Sequence, residues 1–224
     1  MSVTPIISAK NIKKSYGQTK VLHGVSLDVK QGEVLAIMGP SGSGKSTLLH
    51  SLAAIIPVDS GEIIFDGRNI GKFSDNKRSI LRRTAFGFVF QFSQLVPELS
   101  VIDNVALPLL LNGVSRNKAY AKTKEWLEAV GLSDRYDNTP GEISGGQAQR
   151  VAIARAMVVQ PKILFADEPT GSLDSLNSEN IMELFIKTAK NNGTTVIMVT
   201  HEPSIAAYAD REIVVRDGVI VGAK

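Results

Sequence analysis

Short unbroken apolar runs recur along the chain: Val34-Leu35-Ala36-Ile37-Met38, residues 86–90, Ile163-Leu164-Phe165-Ala166 and residues 195–200. Runs of this length without alternation are what strands buried on both faces of a parallel sheet show. A different pattern precedes them. Residues 6–16 predict a strand closed by a turn at Gly17-Gln18, and Val25, Leu27 and Val29 alternate with Ser26, Asp28 and Lys30, a half-exposed strand. Beyond Asp59-Ser60-Gly61, residues 62–65 followed by Asp66-Gly67 predict a hairpin, and a second hairpin closes the chain around Asp217-Gly218.

Helical spacing fills the intervals. Residues 46–56 place Leu48, Leu49, Leu52 and Ile55 on roughly one face, and residues 74–83 predict a short basic helix with Lys77, Arg78, Arg82 and Arg83. Residues 95–111 are apolar but interrupted by Pro97 and Pro108. Residues 116–130 form an amphipathic helix ended by Gly131, residues 146–159 a further one, and residues 175–191 a last one. The expected architecture is α/β: a core at about 1–91 and 161–224 with an N-terminal antiparallel β subdomain, and an inserted α-helical subdomain at about 92–160. All of it belongs to one domain, 1–224, a length that buries an ample core.

Composition removes several classes of function. The chain has no cysteine, which excludes disulfides and thiolate metal sites and suits a reducing compartment. Its three histidines, His23, His50 and His201, lie far apart without metal-ligand spacing. A net charge of +3 is too mild to argue for nucleic acid by itself. The first residues, Met1 to Pro5, lack a basic segment followed by an apolar one, so no signal peptide is expected. No apolar stretch approaches the roughly 20 residues needed to cross a bilayer. A membrane role would have to come through a partner.

Chemistry concentrates at three places. The first is Gly39-Pro40-Ser41-Gly42-Ser43-Gly44-Lys45-Ser46-Thr47, which fits G-x-x-x-x-G-K-[ST] behind a buried strand and ahead of a helix. Such a loop turns backbone N–H groups and the positive end of a helix dipole toward an anion. Lys45 would reach the β- and γ-phosphates of a nucleoside triphosphate, and the Ser46 hydroxyl would hold Mg²⁺. The second is Asp167-Glu168, two acids at the carboxyl end of a buried strand, where open α/β sheets place their ligands. Alone it also has a blander reading, a solvated strand end before a turn at Pro169. Behind a P-loop, Asp167 helps hold Mg²⁺ and Glu168 is available to orient water. The third is Ile143-Ser144-Gly145-Gly146-Gln147, running into Gln149-Arg150-Val151, a second helix start with a hydroxyl and open N–H groups. One chain with two anion-binding helix ends and one complete nucleotide loop suggests that the second end serves another copy.

With these landmarks in order, the chain resembles the nucleotide-binding subunits of ABC transporters over essentially its whole length, so that the expected core is a P-loop NTPase of the ABC ATPase kind. Residues 39–47 resemble the family's Walker A, with Gly39, Ser41, Gly42, Gly44, Lys45, Ser46 and Thr47 around the nucleotide. Residues 163–168 resemble Walker B with its catalytic glutamate, Glu168. Ser144, Gly145, Gly146 and Gln147 match the signature motif, in which Ile143 stands where leucine is usual. Gln91 resembles the Q-loop glutamine, Tyr16 the aromatic that stacks on adenine, Ser172-Leu173-Asp174 the D-loop, and His201 the H-loop histidine. The resemblance implies two copies packed head to tail around ATP, with Lys45, Ser144 and Gly146 about the γ-phosphate. It further implies Mg²⁺ on Ser46, Gln91 and Asp167, with His201 fixing Glu168.

Gln91-Phe92, Leu95-Val96-Pro97, residues 104–109 and residues 167–174 look most like the MacB/LolD/FtsE group. That likeness implies a separate FtsX- or MacB-type integral membrane permease, a place at the cytoplasmic face of the cell membrane, and export or mechanical work. The apolar residues after Gln91 are then a docking groove for a partner helix, or simply the core of the helical insertion. Two alternatives stand beside this: an FtsE-like regulator of a cell-wall enzyme that moves no substrate, and a soluble ATPase linked to nucleic acid. The second is disfavoured by a single cassette without cysteines or a heptad run, so no nucleic-acid partner is expected.

Overall fold

The computed structural model describes residues 4–223. In chain order the strands are β1 (Ile7–Tyr16), β2 (Thr19–Val29), β3 (Val34–Met38), β4 (Ser60–Phe65), β5 (Arg68–Asn69), β6 (Phe86–Phe90), β7 (Ile163–Asp167), β8 (Thr195–Val199), β9 (Arg211–Arg216) and β10 (Val219–Ala223). The helices are α1 (Lys45–Leu52), α2 (Asp75–Thr84), α3 (Val101–Leu111), α4 (Arg116–Ala129), α5 (Gly145–Met157), α6 (Ser175–Asn191) and α7 (Pro203–Ala206). These elements fall into two compact units, Met1–Arg82 with Thr195–Lys224, and Arg83–Thr194.

The first unit holds an antiparallel sheet in the order β2-β1-β4-β5 and a second run of strands in the order β10-β9-β3-β8. In the latter, β3 pairs in parallel with both β8 and β9. Val34–Ile37 are buried, and β3 is paired along both edges, by β8 and β9. Its α1 buries Leu48, Leu49 and Leu52 and packs against β8, β1 and β2. That helix is shorter than the apolar spacing predicts. It stops at Leu52, and Ala54 turns to φ +53°, because Pro57 restricts the residue before it and Ala54 O accepts from Arg82 Nη1 at 2.5 Å. Ile55 is left partly exposed instead of capping the buried face.

The second unit packs α3, α4 and α5 around one apolar cluster in which Val101, Val105, Leu127, Val151 and Val158 are buried. Its parallel strands β6 and β7 put Phe86 and Phe165 edge to face at 5.0 Å. Pro108, expected as an interruption, lies inside the last turn of α3. Proline removes one N–H there, and the buried face of α3 (Val101, Ile102, Val105, Ala106, Leu109) offsets that loss. The preceding loop is held by Asn104, fully buried, whose amide donates to the carbonyls of Val96, Leu99 and Ser100 while its oxygen accepts from Val96 N at 2.8 Å.

A polar clasp joins α3 to α4. Asp103 accepts from the Tyr120 hydroxyl and from Ser100 Oγ (2.7 Å), and Arg116 Nη2 donates to Tyr120 at 2.8 Å. The Tyr120 hydroxyl, then Ser100, hold the Asp103 carboxyl below the usual carboxylate range. A depressed carboxylate stabilises the folded state fully above its unfolded pKa, about 3.9, and that contribution is lost as pH falls through the lower folded value. Denaturant midpoints measured from about pH 5 downward should therefore fall less for Asp103→Asn than for the wild type, relative to each protein's own neutral value. Parallel acid curves would show that the clasp does not bear on stability.

Candidate active site

In the first unit the P-loop joins β3 to α1, and three of its glycines have positive φ: Gly39 (+142°), Gly42 (+76°) and Gly44 (+100°). Such a chain of left-handed residues aims consecutive N–H groups into one concavity. Space enforces glycine as well. A Cβ at Gly39 would stand 2.0 Å from the Val215 carbonyl oxygen, and one at Gly44 would stand 3.0 Å from Val21 O. The loop is braced from behind, since Gly218 N donates to Ser43 O at 3.0 Å and His23 N donates to Gly218 O at 2.9 Å.

Lys45 is buried, and its ammonium bends across the loop to donate to Pro40 O at 2.8 Å. The cation therefore already sits inside the concavity that a phosphate would enter. Ser43 is buried too, and its hydroxyl has no hydrogen-bond partner among the described residues. Ser41 is exposed at the tip, and Ser46 and Thr47 open the first turn of α1. Tyr16 ends β1 with half of its surface exposed, its ring under the Lys14 ammonium at 5.5 Å. His201 is exposed two residues beyond β8, whose register with β3 pairs Val199 with Ile37. His201 and the P-loop therefore leave the same carboxyl edge of the sheet.

The second unit gathers the remaining residues. Phe90 pairs with Asp167, so Gln91 and Glu168 follow at neighbouring strand ends. Glu168 takes φ +48°, a backbone state that costs a non-glycine residue free energy and that clusters at functional sites. Its carbonyl accepts from Gly171 N at 3.0 Å, closing a tight turn behind Pro169. Gln91 Nε2 donates to Gly171 O at 3.3 Å, and Ser172 Oγ donates to Gln91 O at 2.7 Å. In this unit Gln91 carries an amide oxygen and Asp167 a carboxylate, and Ser46 of the first unit carries a hydroxyl; oxygens of these kinds are the donors a hard divalent cation takes. Among the described residues no group of three or more His, Cys, Asp or Glu is placed to hold a metal ion.

Ser144 caps α5. Its hydroxyl accepts from Gln147 N at 3.3 Å and its own N–H donates to Gln147 Oε1 at 2.9 Å, a reciprocal capping box. Gln147 thus works on the helix end itself, while Gly145 is exposed and Gly146 half-buried, their faces clear for a ligand. A Cβ on Gly145 or Gly146 would meet only Leu173 at 3.8 Å or Asn177 at 3.7 Å, which places the signature motif beside the D-loop. There Asp174 caps α6, and the Asn177 backbone N–H (3.0 Å) holds its carboxyl below the usual carboxylate range.

Two side chains of α5, Gln149 buried and Arg155 half-buried, went unassigned in the sequence. Gln149 donates to Phe90 O at 2.9 Å and to Pro169 O at 2.6 Å. Arg155 donates to Ser93 O at 2.7 Å and Gln94 O at 2.8 Å, and burial draws its pKa below the ordinary arginine value. A polar residue every few positions on a helix reads as a solvated face. The only sequence signal against that is the apolar company of Val151, Ala152 and Ile153.

Comparison with known proteins gives the family. The profile of the family described as ABC transporter matches residues 22–171. The chain belongs to the ABC transporter ATP-binding family. As an ABC ATP-binding subunit it binds ATP and hydrolyses it in service of a transporter. It is 46% identical to the Bacillus subtilis protein described as uncharacterized ABC transporter ATP-binding protein YknY, over 97% of this chain and 96% of that one. It is 43% identical to the lipoprotein-releasing system ATP-binding protein LolD of Porphyromonas gingivalis, over 96% and 98%. The macrolide export ATP-binding/permease protein MacB of Chlorobium luteolum is 47% identical over 97% of this chain, which spans 33% of that relative. Among solved structures, the ATP-binding cassette MJ0796, in a dimeric post-hydrolysis state bound to ADP and Pi, matches with TM-score 0.89 and 38% identity over 97% of each chain. The ABC ATPase fold is therefore that of the whole chain. Among the described residues no helix is long and apolar enough to cross a membrane.

The P-loop geometry makes a direct prediction. Alanine at Gly39 must move the Val215 carbonyl and hold a strained φ, at about 1–3 kcal/mol. ATP affinity of Gly39→Ala, measured by equilibrium binding, should fall about tenfold or more; an unchanged dissociation constant would show that this backbone does not shape the cradle.

Proposed function

We propose that this ABC ATPase works as an ATP-sandwich dimer that drives a separate FtsX/MacB-type membrane permease, held by it at the cytoplasmic face of the membrane. The observation that carries the reading is the pair of helix ends described above. One, the glycine cradle at α1, is complete with Lys45 and a hydroxyl; the other, at Ser144-Gly145-Gly146, presents donors with no triphosphate loop of its own. A second copy supplies the missing half: its signature motif closes on the nucleotide that the first copy's P-loop holds. The dimeric state of the MJ0796 cassette supports this arrangement.

In the assembled site the Gly39–Thr47 backbone binds the phosphates, Tyr16 stacks on the base, and Lys45 neutralises charge on the γ-phosphoryl oxygens. Ser46, Gln91 and Asp167 would hold Mg²⁺, which would supply charge neutralisation to the phosphates. Glu168 orients and polarises the attacking water, whose oxygen bonds to the γ-phosphorus as the bond from that phosphorus to the ADP oxygen breaks; ADP leaves and the water's proton ends on the released phosphate. His201 contacts the γ-phosphate and fixes Glu168, and the Asp174-capped D-loop holds the neighbouring signature end. Phosphoryl transfer depends mainly on positioning and electrostatics. A site completed only by closure therefore makes hydrolysis conditional on the dimer, and closure is the motion a permease can use.

The relatives named for lipoprotein release and macrolide export favour export or extrusion as the work performed. The exposed Phe92 directly after Gln91 supports docking of the permease beside the Q-loop. Steady-state ATPase and binding assays test the residues. Glu168→Gln should bind ATP normally, turn over almost none of it and accumulate as an ATP-bound dimer. Lys45→Ala should lose at least about 10²–10³ in rate, the cost of removing one charge-stabilising donor. Wild-type turnover by Glu168→Gln, or a smaller loss in Lys45→Ala, would contradict these roles. Co-purification from membranes should recover a permease of this type; recovery of none would contradict the coupling.

A further inference from the structure

The hydrolytic roles of Gln91 and Glu168 require that two loops leaving separate strands keep a fixed mutual position. Backbone pairing between β6 and β7 ends at Phe90 and Asp167, one residue short of each functional side chain. Beyond that point Gln91 Nε2 donates to Gly171 O and Ser172 Oγ donates to Gln91 O, and Glu168 sits in a left-handed backbone state that its neighbours must maintain. Gln149 enters this gap from α5. It is 1% exposed, and its single amide nitrogen donates both to Phe90 O, directly before Gln91, and to Pro169 O, directly after Glu168.

We propose that Gln149 is a positioning residue for ATP hydrolysis, whose amide staples the Gln91 loop to the Glu168 loop. The inference rests on the reading of Gln91 and Glu168 given above. An amide nitrogen with two hydrogens is the group that suits two facing carbonyl oxygens. Both oxygens are tied to a helix whose first turn is the signature motif, so the staple also links that motif to the water-orienting loop. Arg155, one and a half turns further along, repeats the device on Ser93 and Gln94 and extends the tie along the Q-loop. A side chain that acts through other residues shapes the geometry of the transition state and leaves the ATP cradle on α1 untouched.

Gln149→Met keeps the length and removes both donors. Supporting groups one shell out from a reacting centre typically contribute about 10–100-fold in activity. The expected result is a fall of that size in kcat at saturating ATP, with KM and the equilibrium affinity for ATP unchanged. Added to Glu168→Gln, the substitution should cause no further loss. A second variant gives a signature that a merely structural residue lacks. In Gln149→Glu an ionised carboxylate faces two carbonyl oxygens, whereas the protonated acid donates one hydrogen bond; burial raises its pKa. Its kcat relative to wild type should therefore rise as pH falls. Wild-type kcat in Gln149→Met while Glu168→Gln is inactive would overturn the staple alone; an active Glu168→Gln would overturn the reading beneath it. If Gln149→Met does not fold, a pH-independent ratio for Gln149→Glu overturns the proposal and a rising one supports it.

Discussion

Backbone amides at the start of a helix have no partner within the helix, and this chain is built around two such ends. At α1 the P-loop glycines take left-handed conformations that turn the amides inward, and side chains larger than hydrogen are excluded by the Val215 and Val21 carbonyls. That geometry is imposed from outside the loop. The Gly218 turn between β9 and β10 holds Ser43, and β3, flanked by β8 and β9, fixes where the loop begins. The anion site is thus a product of sheet packing as much as of its own sequence.

The second unit solves a different problem. Its chemistry-bearing residues, Gln91, Asp167 and Glu168, lie at strand ends, where ladder hydrogen bonds run out. Polar side chains take over from the ladder: Gln149 and Arg155 from α5, Ser172 from the D-loop, and Gln91 itself through Gly171. Each ties a carbonyl that would otherwise be free to drift. Burying an amide or half-burying a guanidinium costs free energy unless its donors are satisfied, and here the bonded donors of Gln149 and Arg155 each reach a loop carbonyl. The loops are thus held by side chains, while Ser144 and Gly145 at the start of α5 stay exposed.

Much of this was legible in the amino-acid sequence. The P-loop, the acids at the end of an apolar run and the Ser-Gly-Gly helix start are local signals, each carried by a few neighbouring residues. The strands β3, β6, β7 and β8 are legible because buried parallel strands leave long apolar runs. What escaped was non-local. Helix α1 ends at Leu52 because Ala54 turns left-handed against Arg82, a residue far along the chain. Pro108 stays helical because tertiary packing of α3 outweighs one missing hydrogen bond. Gln149 resembles any polar helical position until the two carbonyls it bridges, 59 and 20 residues away, are seen to face it. Glu168 was found by its place after β7, but its left-handed backbone has no sequence signature, since glutamate seldom adopts it.

The central claim is that one chain carries half of a working hydrolytic centre. Turnover per chain, measured across a dilution series while sedimentation reports the association state in ATP, tests it most directly. The account predicts that turnover follows the dimer fraction and vanishes as the protein becomes monomeric. Undiminished turnover by strictly monomeric protein, at every dilution, would contradict it.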